Sequence, residues 1–237
     1  MRPALPSGLV VRGFTPPLRL ADFRLAAFDM DSTLINIECI DEIAAAVGLK
    51  AEVAAITEAT MRGEIADFKE SLRRRVALLQ GVEEKWLHEI WEHRLELNPG
   101  VETFLKALRD AGLKTLLVSG GFTFFSDRVA QRLAIDYTRA NVLEIVGGRL
   151  TGRVVEQPWG DICDGAEKQR MLLQTCQALG ILPAHAIAVG DGSNDLPMMA
   201  EAGTSIAYHA KPVVRAKADY ALDFSGLEGV LGLFPAS

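Results

Sequence analysis

Two short apolar runs that end in clustered carboxylates constrain this chain more than anything else in it. The run through Ala26-Ala27-Phe28 stops on Asp29-Met30-Asp31-Ser32-Thr33. Far downstream, a run from His185 to Val189 stops on Gly190-Asp191-Gly192-Ser193-Asn194-Asp195. A buried strand normally closes on a turn residue, not on two aspartates one residue apart. Carboxylates gathered at strand ends need positive charge among them. Mg²⁺ is the natural candidate, because it takes oxygen ligands at short distance and keeps some of its waters. Two such ends in one chain point to a single metal-dependent phosphate site.

The pattern between and beyond these ends alternates. A first strand from about Leu25 to Phe28 precedes the acidic turn, and from Glu38 to about Leu97 the spacing is helical throughout. There Ile65, Phe68, Leu72, Val76 and Leu79 mark one amphipathic helix. Asn98-Pro99-Gly100 punctuates the end of the block. A helix from Val101 to Ala111 follows, then a strand from Lys114 to Val118, the turn Ser119-Gly120-Gly121 and a helix from about Thr123 to Leu133. Val142 to Val155 reads as a hairpin with Gly147-Gly148 at its tip. Helices at about Asp164–Leu179 and Leu196–Ala202 flank the second acidic strand, and Thr204 to Ala207 is a further strand.

This order predicts an α/β fold, a doubly wound, Rossmann-like parallel sheet covered on both faces. The helical block is too long for a crossover, so an inserted all-helical cap domain is expected at 37–97. The core then comprises 21–36 and 98–237, with a small β-hairpin near 142–156, and 1–20 forms a surface tail. In open sheets of this kind ligands sit at the carboxyl ends of strands where strand order reverses. Asp29, Ser119 and Asp191 each fall at or just past such an end.

Composition narrows the partners. The 237 residues suffice for one large domain or a core with a smaller insert, and a net charge of −6 argues against non-specific nucleic-acid binding. No apolar run approaches the ~20 residues of a membrane span. The first twenty residues are broken by Pro3, Pro6, Pro16 and Pro17 and carry no cleavage pattern, which suggests a cytoplasmic protein. Three cysteines, Cys39, Cys163 and Cys176, form no CxxC pair and read as buried free thiols. His88 and His93 do not make a zinc helix motif, since a five-residue spacing turns the rings ~140° apart.

Hydrolysis of a phosphate monoester needs a nucleophile, a proton for the leaving oxygen and positive charge on the equatorial oxygens. Asp29 can attack phosphorus and form an aspartyl-phosphate. Asp31 can protonate the leaving oxygen and then activate water. Ser119 and the amide at Gly120 can grip phosphoryl oxygens, Lys168 can neutralise another, and Asp191 with Asp195 can complete the metal shell.

The set Asp29-Met30-Asp31-Ser32-Thr33, Ser119-Gly120-Gly121, Lys168 and Gly190 to Asp195 resembles the four motifs of the haloacid dehalogenase superfamily. The stretches 36–43, 56–63, 68–76 and 207–212 resemble its phosphoserine phosphatase branch. That resemblance implies Mg²⁺ held by Asp29, the backbone carbonyl of Asp31, and Asp191, with Asn194 touching the phosphate. It implies that Glu38 binds the ammonium of O-phosphoserine, that Arg75 binds its carboxylate, and that Met61 and Phe68 close over it. The expected partner is this small molecule alone, with the protein a monomer or homodimer. Transfer of the phosphoryl group to homoserine, or action on another small phosphorylated metabolite, is the alternative. The residues support part of this on their own terms. On a helical wheel Arg75 falls about 20° from Phe68, beside the apolar stripe, whereas Arg74 falls on the solvent side. A cation so placed needs an anion to face. Arg73 and Arg74 read as a solvated face. The alternative for Glu38 is a helix cap, and for Met61 and Phe68 plain cap core.

Overall fold

The computed structural model describes residues 9–11, 18–65 and 67–234. Its centre is an eight-stranded sheet in the order β1-β8-β7-β6-β2-β3-β4-β5. These strands are β1 (Leu9–Val11), β2 (Leu25–Phe28), β3 (Lys114–Phe122), β4 (Tyr137–Val146), β5 (Arg149–Val155), β6 (Ala186–Gly190), β7 (Thr204–Tyr208) and β8 (Tyr220–Leu222). β2 lies between β3 and β6 and runs parallel to both, with Phe28 beside Leu117 on one side and Val189 on the other. The chain builds outward to β4 on one flank and to β8 on the other. The carboxyl ends of β2 and β6 therefore open at the point where strand order reverses, as the doubly wound reading requires.

The side chains of β2 show why both faces must be covered. Ala26 and Phe28 pack with Phe104, Leu105, Phe125 and Val129 of α5 (Val101–Asp110) and α6 (Thr123–Leu133). Leu25 and Ala27 pack with Leu172, Cys176, Met198 and Met199 of α7 (Gly165–Leu179) and α8 (Leu196–Glu201). Successive strand residues point to opposite faces, and neither face of this strand meets water.

Between β2 and α5 the chain forms α1 (Cys39–Ala46), α2 (Lys50–Met61), α3 (Phe68–Leu78) and α4 (Lys85–His93). It leaves and returns through a two-stranded neck. Asn36 N donates to Glu96 O at 3.0 Å, Asn98 N to Leu34 O at 2.9 Å, and Ile35 pairs with Leu97.

Four local expectations are corrected. Leu9–Val11, expected in a surface tail, forms an edge strand antiparallel to β8; the remainder of the tail up to residue 17 lies outside the described residues. Ile65 precedes α3, because Asp67 caps that helix by accepting from Lys69 N at 3.0 Å, and Leu79 caps its other end. Both are buried all the same. β3 does not stop at Val118 but continues through Ser119-Gly120-Gly121 to Phe122 with a shift of register. β4 begins at Tyr137, running parallel to β3 before it turns antiparallel to β5.

Candidate active site

Asp29 is the first residue past β2, and its amide donates to Val189 O at 3.0 Å, which ties the turn to β6. The carboxylate is buried. Lys168, on α7 and wholly inaccessible, places its Nζ 2.8 Å from Asp29 Oδ1 and 2.7 Å from Asp195 Oδ1. The other oxygen of Asp195 accepts from the amides of Asp191, at 3.2 Å, and Gly192, at 2.9 Å. Gly190 must lack a side chain, since any Cβ there would run into the Asp195 carboxyl group. A helix N-cap by Asp164, accepting from Glu167 N at 2.9 Å, starts α7 at the right height to deliver the lysine.

The electrostatics are unbalanced. Burial, then the repulsion of Asp195, raises the Asp29 carboxyl well above the usual range despite the lysine. Burial and the same neighbour push Asp191 up to about 7. Burial alone would depress Lys168, but Asp195 and Asp29 more than reverse it, so the ammonium stays charged. Asp29, Asp191 and Asp195 can each bring one oxygen within 4.8 Å of the others. Three carboxylates against one lysine leave a net negative, all-oxygen donor set, which fits a small hard cation.

Asp31 is held differently. Its carboxylate accepts from Cys39 N at 3.0 Å and Cys39 Sγ at 3.2 Å. Burial and the nearby Glu38 raise it to about 7. Between the two acids the chain turns at Ser32, which adopts a left-handed φ of 58° and donates from Oγ to Glu38 Oε1 at 2.7 Å. Glu38 stands at the N-cap position of α1 but makes no capping bond; its carboxylate faces the site. On the neighbouring strand Ser119 Oγ accepts from Gly121 N at 2.9 Å, and Asn141 fixes the Gly120 carbonyl at 2.8 Å. A Cβ on Gly120 would lie 3.1 Å from Phe68 Cζ, so bare backbone lets the ring rest on β3.

These groups enclose a cavity of about 450 Å³. Asp29, Asp31, Ser119, Gly120, Asp191 and Asn194 form its floor, and Glu38, Phe68 and Arg75 face them from the helices. Arg75 is half-buried, with Nε donating to Ser71 O at 3.4 Å, and it makes no ion pair among the described residues. Arg74 pairs with Glu70 on the solvent side, as its wheel position implies. Lys168 and Asp195 lie beneath the floor, with Lys168 paired to both Asp29 and Asp195. One sequence-based expectation changes. Arg73 is not merely solvated but bonded to Asp161. Met61 ends α2, and its side chain lies outside the described residues.

Several wall residues escaped sequence reasoning. Asp41, Thr57, Thr60 and Lys211 line the cavity, and Thr33 Oγ1 reaches Asp191 Oδ1 at 3.4 Å. Thr57 and Thr60 sit three apart on α2, a polar pair on one helical face that could have flagged them.

A family model for haloacid dehalogenase-like hydrolases matches residues 23–203. The phosphoserine phosphatase of Albidiferax ferrireducens is 66% identical over 231 residues, covering 98% of both chains. That of Polaromonas is 66% identical over 226 residues, covering 95% of this chain and 96% of its own. A solved phosphoserine phosphatase with bound substrate is 35% identical, with a TM-score of 0.82 over 90% of this chain and 99% of that one. Sequence, motif order and fold agree, and the chain belongs to the haloacid dehalogenase-like hydrolases.

Proposed function

We infer that this chain is a phosphoserine phosphatase, hydrolysing O-phosphoserine to serine and phosphate in the last step of serine biosynthesis. The observation that carries the reading is Arg75: a half-buried guanidinium with no ion pair among the described residues, across one cavity from Asp29. A planar carboxylate on the substrate satisfies such a group with two bonds. Glu38 offers the complementary charge for the substrate ammonium, Phe68 the apolar cover, and Met61 is proposed to share that cover.

In this reading an oxygen of Asp29 attacks phosphorus as the bond to the serine oxygen breaks, leaving an aspartyl-phosphate. Asp31 gives its proton to the departing serine oxygen and then takes one from the water that attacks the phosphoenzyme, which frees phosphate and restores Asp29. A carboxyl raised to about 7 suits a group that must do both near neutral pH. Lys168 holds Asp29 in place. Ser119, the amide at Gly120 and Asn194 grip phosphoryl oxygens. Asp29, the Asp31 carbonyl and Asp191 would hold Mg²⁺, with Asp195 in support. When bound, the ion supplies positive charge that screens the nucleophile from its anionic target.

The division into a core of 21–36 and 98–237 and a cap of 37–97 belongs to the same proposal. A cavity walled by one chain suits a monomer or a homodimer with independent sites. The three free, buried cysteines fit a reducing cytoplasm. Phosphate release from a panel of amino-acid and sugar phosphates, with and without Mg²⁺, tests the reading. Phosphoserine should lead the panel, and only with the metal. Phosphohomoserine appearing when homoserine is added would favour the transferase, and silence across the panel would end the proposal.

A further inference from the structure

The loop from Gln157 to Asp164 joins the hairpin to α7 and is fastened to the sheet side of the molecule. Gln157 and Gly160 exchange backbone hydrogen bonds of 2.8 and 2.9 Å. Arg170 donates to the carbonyl of Trp159, the guanidinium of Arg139 lies 5.2 Å from the Trp159 ring centre, and Glu167 pairs with both arginines. From this anchored loop Asp161 reaches across to α3. It accepts from Lys69 Nζ at 3.0 Å and is bonded to Arg73, while Lys69 also lies 3.9 Å from Asp164. Lys69 and Arg73, four apart, share one side of the helix. Phe68 and Arg75 face the cavity.

We propose that Asp161 is a positioning residue for substrate recognition, clamping α3 through Lys69 and Arg73 so that Phe68, and Arg75 two residues beyond the clamp, stand over the cavity. The opposite end of α3 is already secured. Gly81 N donates to Leu150 O at 2.8 Å and Leu150 N to Val82 O at 2.9 Å, and Gly152 packs against Ala77 and Gln80. Towards the amino-terminal end Thr60 Oγ1 donates to Ser71 Oγ at 2.7 Å, and the ion pairs that tie this half of α3 to another segment all end on this one loop among the described residues. One carboxylate shared by two cations, each about a third to a half exposed (32% and 46%), makes a clamp weak enough to yield. The loop that clamps α3 also begins the helix that carries Lys168, so the recognition and phosphoryl ends are set from one segment.

The proposal rests on the phosphoserine reading and is tested with Asp161→Asn in the full chain. The KM for phosphoserine should rise about threefold to tenfold with kcat within about twofold. The KM for p-nitrophenyl phosphate, which has neither ammonium nor carboxylate, should stay put. Added NaCl should raise the KM for phosphoserine more steeply in the wild type than in the variant. Asp161→Arg combined with Lys69→Glu and Arg73→Glu should recover most of the loss. An unchanged KM, or a fall in kcat and Tm with KM untouched, overturns the clamp. Amide hydrogen exchange supplies a readout that needs no substrate, so the clamp and the phosphoserine reading can fail separately. Residues 68–72 should exchange faster in the variant while α5 does not, and equal rates in the two proteins overturn the proposal.

Discussion

The two walls of the cavity are built on opposite principles. On the sheet side Ser119 is 1% exposed, and beneath it Lys168 and Asp195 are each 0% exposed, with Lys168 paired to Asp29 at 2.8 Å and to Asp195 at 2.7 Å. On the helical side Glu38 is exposed, Phe68 and Arg75 are half-buried, and the ion pairs that place α3 sit at the surface. Buried, paired charge is costly to rearrange, whereas exposed pairs exchange readily with water. The chemistry is thus prearranged, and recognition is left adjustable.

Substitutions should separate the walls by size of effect. Asp29→Asn should lower phosphoserine turnover by at least about a thousandfold and abolish labelling of the protein by ³²P-phosphoserine. Residual turnover above a hundredth would remove Asp29 from the nucleophile's role. Lys168→Met strands two buried carboxylates and should destabilise the metal-free fold by about 3–5 kcal/mol in urea titration. A loss below 1 kcal/mol would mean that the prearranged wall is not held by this pair. Arg75→Ala should raise KM by roughly 10- to 150-fold, the worth of about 1.5–3 kcal/mol for bonds to a charged group, with little change in stability. Equal KM values would show that the substrate carboxylate is bound elsewhere.

The smallest effect concerns pH. Asp191, pushed up to about 7 without a cation, is mostly protonated below that pH and must lose its proton to serve as a ligand. Mg²⁺ affinity should therefore weaken as pH falls through about 7, by up to about tenfold per unit for each proton expelled. Titration calorimetry in two buffers of different ionisation enthalpy would detect that proton, and an affinity constant from pH 5.5 to 8 would contradict it.

The sheet-side wall was largely legible in the sequence because strand ends and helix caps are local events. Phe28 running into Asp29, Val189-Gly190 into Asp191 and Asp164 capping α7 can each be read within a few residues. What tertiary packing decides was not legible. Leu9–Val11 is too short to carry an alternating pattern and becomes a strand only because β8 offers an edge. Nothing around Lys168 says that its ammonium is inaccessible; that follows from two aspartates at sequence separations of 139 and 27, drawn in by β2 and β6. Asp161 and Arg73, 88 positions apart, meet only because a loop between β5 and α7 folds back over α3.

The β4–β5 hairpin gives the helical block a passenger. Arg149 Nη1 donates to Gly81 O at 2.8 Å, Glu84 N to Gly148 O at 2.9 Å, and Leu150 bonds in both directions with the turn after α3. Lifting α3 away from Gly120 must either tear those contacts or swing the hairpin with it, bending β4 near residues 143–145, where its pairing with β5 slips. If those contacts hold, the hairpin travels with α3. A distance probe on Gly147 would report its excursions as well as one on α3 itself.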